Sequence, residues 1–307
     1  ASTVIDSNGC YLFGSDPNAD KYGVAYVAFL NYLVELIHPT YLSPGIEINI
    51  PFTACAGQKN AWVTWYNTAH QAIKAAHPSL VVFPTFQLEH LYGVASSEVA
   101  CGNGLSYDQC FTQRLADAIA ILGDRIAFSS YPIAWKFAAA AGFRYPTDTY
   151  SRVKAATTRR IWISETGWSA VPIRNSYAHG SAGSCGDFRV PASFVAPGGA
   201  TVGLANDTEH AAYVAWLLNE AQREGFEAVV WWLNRDYLDG TVATTCPCDP
   251  ATSDTCALSN LFYAVGADDG DFALRVFANM GLRRYDGSAR PGFSPWKDFL
   301  GRRYQQR

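Results

Sequence analysis

Charged side chains are scarce in this chain, where Asp, Glu, Lys and Arg together make up 16% of 307 residues. The net charge is −4, and no basic stripe is present, so the composition argues against a nucleic-acid-binding protein. Long apolar runs are also missing. The longest, over residues 26–37, is broken by Asn31 and Glu35 and is too short and too polar to span a bilayer. We therefore expect neither nucleic acid nor a membrane as a partner.

Apolar residues make up 49% of the chain, which is enough for a sizeable core and excludes global disorder. No linker divides the sequence, so we predict a single domain over residues 1–307 with an irregular segment at 1–20. Aromatic residues reach 14%, with 9 Trp and 17 Tyr. Such a surplus is typical of clefts that bind sugars and is also compatible with ordinary core packing.

Methionine occurs once and lysine is rare, whereas the number of cysteines is even, at eight. This pattern indicates a secreted protein with disulfide bonds. Cys101 and Cys110 flank a Gly-Asn-Gly loop, and we predict that they pair. Cys246, Cys248 and Cys256 form a cluster for which a zinc site is the alternative, but no His follows at ligand spacing. We therefore expect neither a metal nor a cofactor.

Amphipathic helical segments alternate with short apolar strands along the chain. Hydrophobic periodicity predicts helices at 21–37, 61–76, 111–122, 150–156, 208–224 and 295–304, and strands at 41–50, 80–87, 126–131, 160–165 and 228–234. Alternating strands and helices favour an α/β fold, with a parallel sheet covered by helices.

Polar and aromatic side chains lie at the ends of these strands rather than at their beginnings. They are Glu47, Asn49, Gln87, His90, Tyr131, Glu165, Trp231 and Asn234. In barrels and open parallel sheets alike, the carboxyl ends of the strands carry the chemistry. We therefore expect these side chains to line one site.

Glu47 and Glu165 are the two carboxylates of this set. Strand periodicity places Glu47 on one face with Asn49, and it places Glu165 in register with Ile161 and Ile163. A carboxylate on a buried strand face needs a partner, so the residues form either structural ion pairs or a catalytic pair. Two facing carboxylates are suited to glycoside hydrolysis, in which one attacks the anomeric carbon and the other protonates the leaving oxygen.

Several segments resemble glycoside hydrolase clan A. Residues 163–169, Ile-Ser-Glu-Thr-Gly-Trp-Ser, look like the nucleophile strand, and beta-glucanases of the clan carry a closely similar run. Residues 45–49 resemble the acid/base strand of arabinogalactan endo-beta-1,4-galactanases. Residues 230–234 resemble the last barrel strand, and 281–287 resemble the tail before the closing helix. The resemblance extends over roughly residues 20 to 300.

The resemblance implies a TIM (β/α)8-type barrel and a retaining glycosidase with Glu165 as nucleophile and Glu47 as general acid/base. Tyr131 would hydrogen-bond the nucleophile, and Trp231 would stack on sugar, with Trp168 as a second candidate. Asn49, Gln87, His90 and Asn234 complete the predicted sugar ligands. The implied substrate is an oligo- or polysaccharide of the beta-galactan or beta-glucan type, hydrolysed by a monomer.

Two departures from the clan support other interpretations. Ile46 stands where the clan has Asn before the acid/base Glu, and Asn49 is the candidate substitute. This difference favours a second hypothesis, a carbohydrate-binding protein on the same scaffold that has lost catalysis. A third hypothesis is a structural domain in which both Glu residues form ion pairs.

The second departure is length, because only 46 residues precede Glu47. Three βα units do not fit there, given about 250 residues for a complete barrel. We therefore predict an incomplete barrel in which strands 4–8 are present and the first strands are missing or irregular. The strand of Glu47 should lie at one open margin and strand 228–234 at the other. The chain begins with Ala1, which is compatible with a partial sequence or a removed leader.

Overall fold

The computed structural model of the chain describes residues 21–93, 104–132, 146–170, 174–175, 186–187, 206–237 and 277–302. These residues form a mixed α/β structure. The helices are α1 (Lys21–Ile37), α2 (Asn49–Ala54), α3 (Lys59–Ala76), α4 (Leu88–Leu91), α5 (Tyr107–Ala120), α6 (Thr149–Ala156), α7 (Asp207–Glu224) and α8 (Phe293–Leu300). The strands are β1 (Tyr41–Leu42), β2 (Val81–Val82), β3 (Thr85–Gln87), β4 (Arg125–Ser130), β5 (Arg160–Thr166), β6 (Arg174–Asn175), β7 (Gly186–Asp187) and β8 (Ala228–Trp231).

The main sheet is parallel and follows chain order. Strands β3, β4, β5 and β8 pair in that sequence, and β1 pairs with β2. Because β2 and β3 are separated only by Phe83 and Pro84, backbone hydrogen bonds continue from one to the other. The Phe83 amide donates to the Leu42 carbonyl over 3.1 Å, and the Thr85 amide donates to the Gly45 carbonyl over 2.8 Å. Five strand positions therefore lie side by side.

Among the described residues, strands β1 and β8 lie at the two ends of this array. Each pairs with one neighbour among the described residues, so a closed barrel is not confirmed. Val230 on β8 is 48% exposed, as expected for a margin. An open margin would also leave the neighbouring Trp231 exposed, but Trp231 is only 7% exposed, so that expectation is wrong.

The six predicted helices begin and end within four residues of their predicted limits because local signals define them, whereas the short helices α2 and α4 were not predicted. Ser106 and Gln109 form a reciprocal capping box at the start of α5. The Asn206 side chain accepts the amides at the start of α7, and Gly225 ends that helix in the left-handed conformation. Helix α3 buries Trp65, Ala69 and Ile73, three of the apolar residues that recur at helical spacing along it.

Helix α1 differs from the packing that its periodicity predicts, in which Tyr26, Leu30, Leu33 and Ile37 share one buried face. Leu30 and Val34 are buried, whereas Ile37 is 64% exposed. Among the described helices, none has the length and apolar character needed to cross a membrane.

The strand predicted over residues 41–50 is wrong beyond Leu42. The chain turns through Ser43-Pro44-Gly45, and α2 already begins at Asn49. Proline and glycine favour turns over strand continuation, and Glu47 itself adopts a left-handed φ of 48°. Glu47 and Asn49 therefore do not share a strand face. Their positions are set by contacts with β3 and β4 instead.

The cysteine predictions fall largely outside the described residues. Cys55 and Cys110 each take part in a disulfide bond. The partner predicted for Cys110 is Cys101, which lies outside the described residues, so that pairing stays a prediction. Cys246, Cys248 and Cys256 also lie outside them.

Candidate active site

A β-bulge near the end of β5 determines where Glu165 points. Phe128 on β4 pairs with Ile163, but the next residue, Ser129, pairs with Glu165, so Ser164 is one extra residue on β5. Because Ala127 pairs with Trp162, cross-strand alternation places Glu165 on the face of Ala127, Ser129 and Trp162. The predicted register of Glu165 with Ile161 and Ile163 is therefore wrong.

Tyr131 lies immediately after β4 and contacts Glu165 directly. Its hydroxyl donates a hydrogen bond to Glu165 Oε1. Burial raises the pKa of Glu165, and the hydrogen bond from Tyr131 opposes part of this rise because it stabilises the charged form. Burial and the neighbouring carboxylates raise the pKa of Tyr131 far above its usual value, so it stays a proton donor.

Hydrogen bonds with residues of β3 and β4 fix the position of Glu47. Its backbone amide donates to Thr85 Oγ1 over 2.9 Å, and Ser129 Oγ donates to its Oε1. Burial raises the pKa of Glu47 most strongly, the Ser129 hydrogen bond lowers it, and the charge of Glu165 raises it again. The two carboxyl groups are thus electrostatically coupled. The left-handed backbone of Glu47 costs on the order of 1–3 kcal/mol, and strain of this kind is concentrated at functional sites.

Neither carboxylate is neutralised by a cation among the described residues. The ion pairs there involve other acidic residues, namely Asp108, Asp117, Asp124, Asp207, Glu220, Glu224, Glu227 and Asp236. The structural interpretation required ion pairs at Glu47 and Glu165, and the described part of the chain shows none. The described residues also contain no group of three or more His, Cys, Asp or Glu placed to hold a metal ion.

The side-chain amides of Asn49 and Gln87, two predicted sugar ligands, form hydrogen bonds with nearby backbone groups. Asn49 Nδ2 donates to the Gln87 carbonyl over 2.8 Å, and Asn49 Oδ1 accepts the Gln87 amide over 2.7 Å. The Gln87 side chain accepts from the His90 amide over 2.6 Å and donates to Glu89 over 2.5 Å. These contacts stabilise the turn from β3 into α4.

Glu89 is a third carboxylate. Its place after the predicted strand 80–87 suggested a loop, but it is fully buried in α4. Ser130 Oγ donates to its Oε1 over 2.9 Å. His90 lines a cavity of about 350 Å³ together with Asn49, Phe52 and Phe86. Since Phe86 pairs with Phe128 on the opposite face from Ser129, this cavity lies on the helix side of β3.

The tryptophans divide between the two sides of the sheet. Trp231 pairs with Thr166, donates its indole N–H to the Met280 carbonyl over 2.7 Å, and packs against Tyr213 of α7. It therefore faces the helices. Trp168 is also fully buried against Tyr213.

Trp232 follows on the opposite side and contacts Phe277, which packs edge-on against Tyr131. Trp232, immediately after β8, therefore lies on the side of Phe277 and Tyr131, one residue from the predicted Trp231. Asn234 is exposed just beyond β8, where its carbonyl accepts the Arg283 amide over 3.0 Å.

Ser129, Thr85 and Trp232 are candidate site residues that the sequence pattern did not predict. Ser129 lies two residues before Tyr131, so strand alternation alone could have placed both on one face. The orientation of Trp232 could not be predicted from the sequence, because it depends on the bulge in the neighbouring strand β5. That bulge shifts the pairing register between β5 and β8 near the strand ends.

Gly167 explains part of the Ser-Glu-Thr-Gly-Trp run. A Cβ atom there would lie 2.5 Å from Met280 Sδ and 2.8 Å from the Trp232 carbonyl oxygen. Only glycine lets the chain after Glu165 pass this close to Trp232.

Comparison with solved structures finds distant similarity to glycoside hydrolases. The GH53 catalytic domain of Ignisphaera aggregans is 16% identical with a TM-score of 0.49, covering 92% of this chain and 70% of that one. A GH5 protein from Streptomyces cattleya in complex with Manb1-4GlcNAc is 15% identical with a TM-score of 0.48, covering 95% of this chain and 55% of that one. An uncultured Clostridium sp. beta-glucuronidase is 10% identical with a TM-score of 0.46 over 92% of this chain.

The chain spans 36% of that beta-glucuronidase and 32% of a GH2 beta-galacturonidase from Eisenbergiella tayi. Comparisons with models of protein families and with curated protein sequences find no match.

Proposed function

We propose that the protein is a retaining glycoside hydrolase with Glu165 as nucleophile and Glu47 as general acid/base. One observation carries the proposal. Two carboxylates with raised pKa values lie at the same edge of a parallel sheet, coupled to each other and held by hydroxyl groups rather than cations. A site of this composition is suited to double displacement at a sugar.

In the first step, the Glu165 carboxylate attacks the anomeric carbon while the Glu47 proton moves to the departing glycosidic oxygen. The C–O bond to the leaving group breaks, and a glycosyl ester forms on Glu165. In the second step, Glu47 takes a proton from water, whose oxygen attacks the anomeric carbon and releases Glu165. Two inversions give net retention.

The surroundings support this division of roles. Glu47 has its pKa raised by burial and by the charge of Glu165, as a general acid requires. The Tyr131 hydrogen bond favours the charged form of Glu165 against its burial. The same hydroxyl orients the attacking oxygen. Retention further requires the two carboxyl groups to lie about 5–5.5 Å apart, which stays a prediction.

The substrate we propose is a beta-galactan or beta-glucan, on the strength of the resemblance of residues 45–49 and 163–169. Trp232 replaces Trp231 as the proposed surface on which the cleaved sugar stacks, because its ring lies on the side of Tyr131 and Phe277. The cysteine content supports action outside the cell.

The test uses Glu165→Gln and Glu47→Gln on a panel of beta-galactans and beta-glucans. Each variant should lose at least about 10³-fold in kcat/KM, since each removes a reacting group. Glu89→Gln is the matched control, because Glu89 is a buried carboxylate nearby without a reacting role. Loss in the Glu89 variant alone would contradict the assignment. Proton NMR of the first product should show retained anomeric configuration.

One observation favours a second candidate, a sugar-binding protein without catalysis. Ile46, in the place of the clan's Asn, is 72% exposed beside Glu47 and has no group to bind a sugar hydroxyl. This candidate predicts that the wild type and Glu165→Gln bind the same oligosaccharides equally and that neither hydrolyses them.

A further inference from the structure

An aromatic row leads from the nucleophile to solvent. It consists of Tyr131, Phe277, Trp232 and Tyr237, and Tyr131 is the ring that bonds Glu165. The ring centroids are 4.8 Å apart between Tyr131 and Phe277, 6.2 Å between Phe277 and Trp232, and 6.2 Å between Trp232 and Tyr237. All three contacts are edge-to-face.

Tyr237 ends this row at the surface, where it is 46% exposed. The three inner rings are more deeply covered. An exposed tyrosine offers an apolar face to the CH groups of a sugar and a hydroxyl to its oxygens.

The backbone beneath Tyr237 is firmly held. Its amide donates to the Ala278 carbonyl over 2.9 Å. The preceding residue, Asp236, is buried, pairs with Arg290 and accepts the Gly281 amide over 2.8 Å. A ring on such a segment is already ordered, so stacking costs little conformational entropy.

We propose that Tyr237 is an outer sugar-binding platform, so that the protein takes a chain of several sugars rather than a small glycoside. This inference rests on the proposed function for the location of the cleaved bond. The sugar at the cleavage point lies at Glu165 and Trp232, and the chain continues over Tyr237. Sugars far from the cleaved bond thus contribute to affinity.

The experiment measures binding by calorimetry, so that it does not depend on hydrolysis. Cello-oligosaccharides and beta-1,4-galacto-oligosaccharides of two to six sugars are titrated into Glu165→Gln. Affinity should rise with length, and adding Tyr237→Ala should remove about tenfold in affinity for the longer ligands while leaving the disaccharide unchanged. Tyr237→Trp should retain the length dependence.

Tyr285→Ala is the matched control, because Tyr285 is 51% exposed and contacts Arg235 rather than the aromatic row. Equal losses in the Tyr237 and Tyr285 variants would overturn the proposal. The proposal would also be overturned if the affinity of Tyr237→Ala rose with oligosaccharide length as in the parent, or if no oligosaccharide of any length bound. If the wild type hydrolyses nothing but Tyr237→Ala still loses affinity for long ligands, the platform stands and the proposed function fails.

Discussion

Two hydroxyl groups, two residues apart at the end of β4, each contact one of the two carboxylates. Ser129 donates to Glu47 and Tyr131 donates to Glu165. Each hydrogen bond stabilises a charged carboxylate and therefore lowers its pKa. Because the groups are coupled, a pH profile reports values that belong to the pair. The two hydroxyls can nevertheless be removed separately.

Removing the Ser129 hydroxyl should raise the pKa of Glu47 further. In the proposed mechanism Glu47 acts as an acid, so the alkaline limb of kcat/KM in Ser129→Ala should move to higher pH, by about one unit for a charge-assisted hydrogen bond. Ser130→Ala is the control, because Ser130 bonds Glu89 instead. An unshifted alkaline limb, or the same shift in the control, would contradict this role of Ser129.

Tyr131→Phe should act on the opposite limb. Loss of the hydroxyl raises the pKa of Glu165, which must be ionised to attack, so the acidic limb of kcat/KM should move to higher pH. The Phe ring keeps its packing against Phe277, and thermal unfolding should change little. A shift of the alkaline limb instead would mean that the roles of Glu47 and Glu165 are exchanged.

Strand alternation alone could not place the side chains that follow the bulge in β5. Glu165 and Tyr131 follow from chemistry at strand ends. The orientation of Glu165 and the choice between Trp231 and Trp232 depend on Ser164 being an extra residue, which only pairing with β4 and β8 shows. Likewise Asn49 resembles a sugar ligand in sequence, but its amide is taken by the Gln87 backbone.

At the scale of elements, helices were easier to predict than strands. Helix α1 occupies its predicted limits, and α5 carries a capping box that the sequence contains. The predicted strand at 41–50 failed because Pro44 and Gly45 turn the chain, and 80–87 is divided at Pro84. Short strands carry too little periodicity to show where backbone pairing stops.

The junction after β5 offers a test of packing between elements. Gly167→Ala should lower the free energy of unfolding by about 1–3 kcal/mol, because its Cβ would overlap Met280 and the Trp232 carbonyl. Gly57→Ala is the control, since a Cβ there meets nothing within 4 Å. Urea unfolding midpoints measure both. Equal midpoints would show that β5 and β8 are less closely packed than described.

At the scale of the whole molecule, helix α1 carries an exposed apolar face. Phe29, Tyr32 and Leu36 are spaced three and four residues apart, and each is more than half exposed. A patch of this kind promotes association. The buried residues Leu30 and Val34 of α1 belong to a hydrophobic cluster against which Leu42 of β1 packs.

We therefore expect this 307-residue chain to self-associate with rising concentration, in contrast to the monomer predicted from sequence. Sedimentation velocity should show a larger species that Phe29→Glu reduces. Leu300→Glu is the control, because Leu300 on α8 is 69% exposed but remote in sequence from the α1 face. A wild type that stays monomeric across the concentrations tested would contradict this expectation.

The most direct test of the central claim is to trap the glycosyl ester. A 2-deoxy-2-fluoro-galactoside and the corresponding glucoside, each with a good leaving group, are incubated with the protein, which is then digested and mapped by mass spectrometry. The account predicts a mass increase of one fluoro-sugar on the peptide containing Glu165, and none in Glu165→Gln. A label on Glu47 or Glu89, or hydrolysis with inverted anomeric configuration and no label, would contradict it.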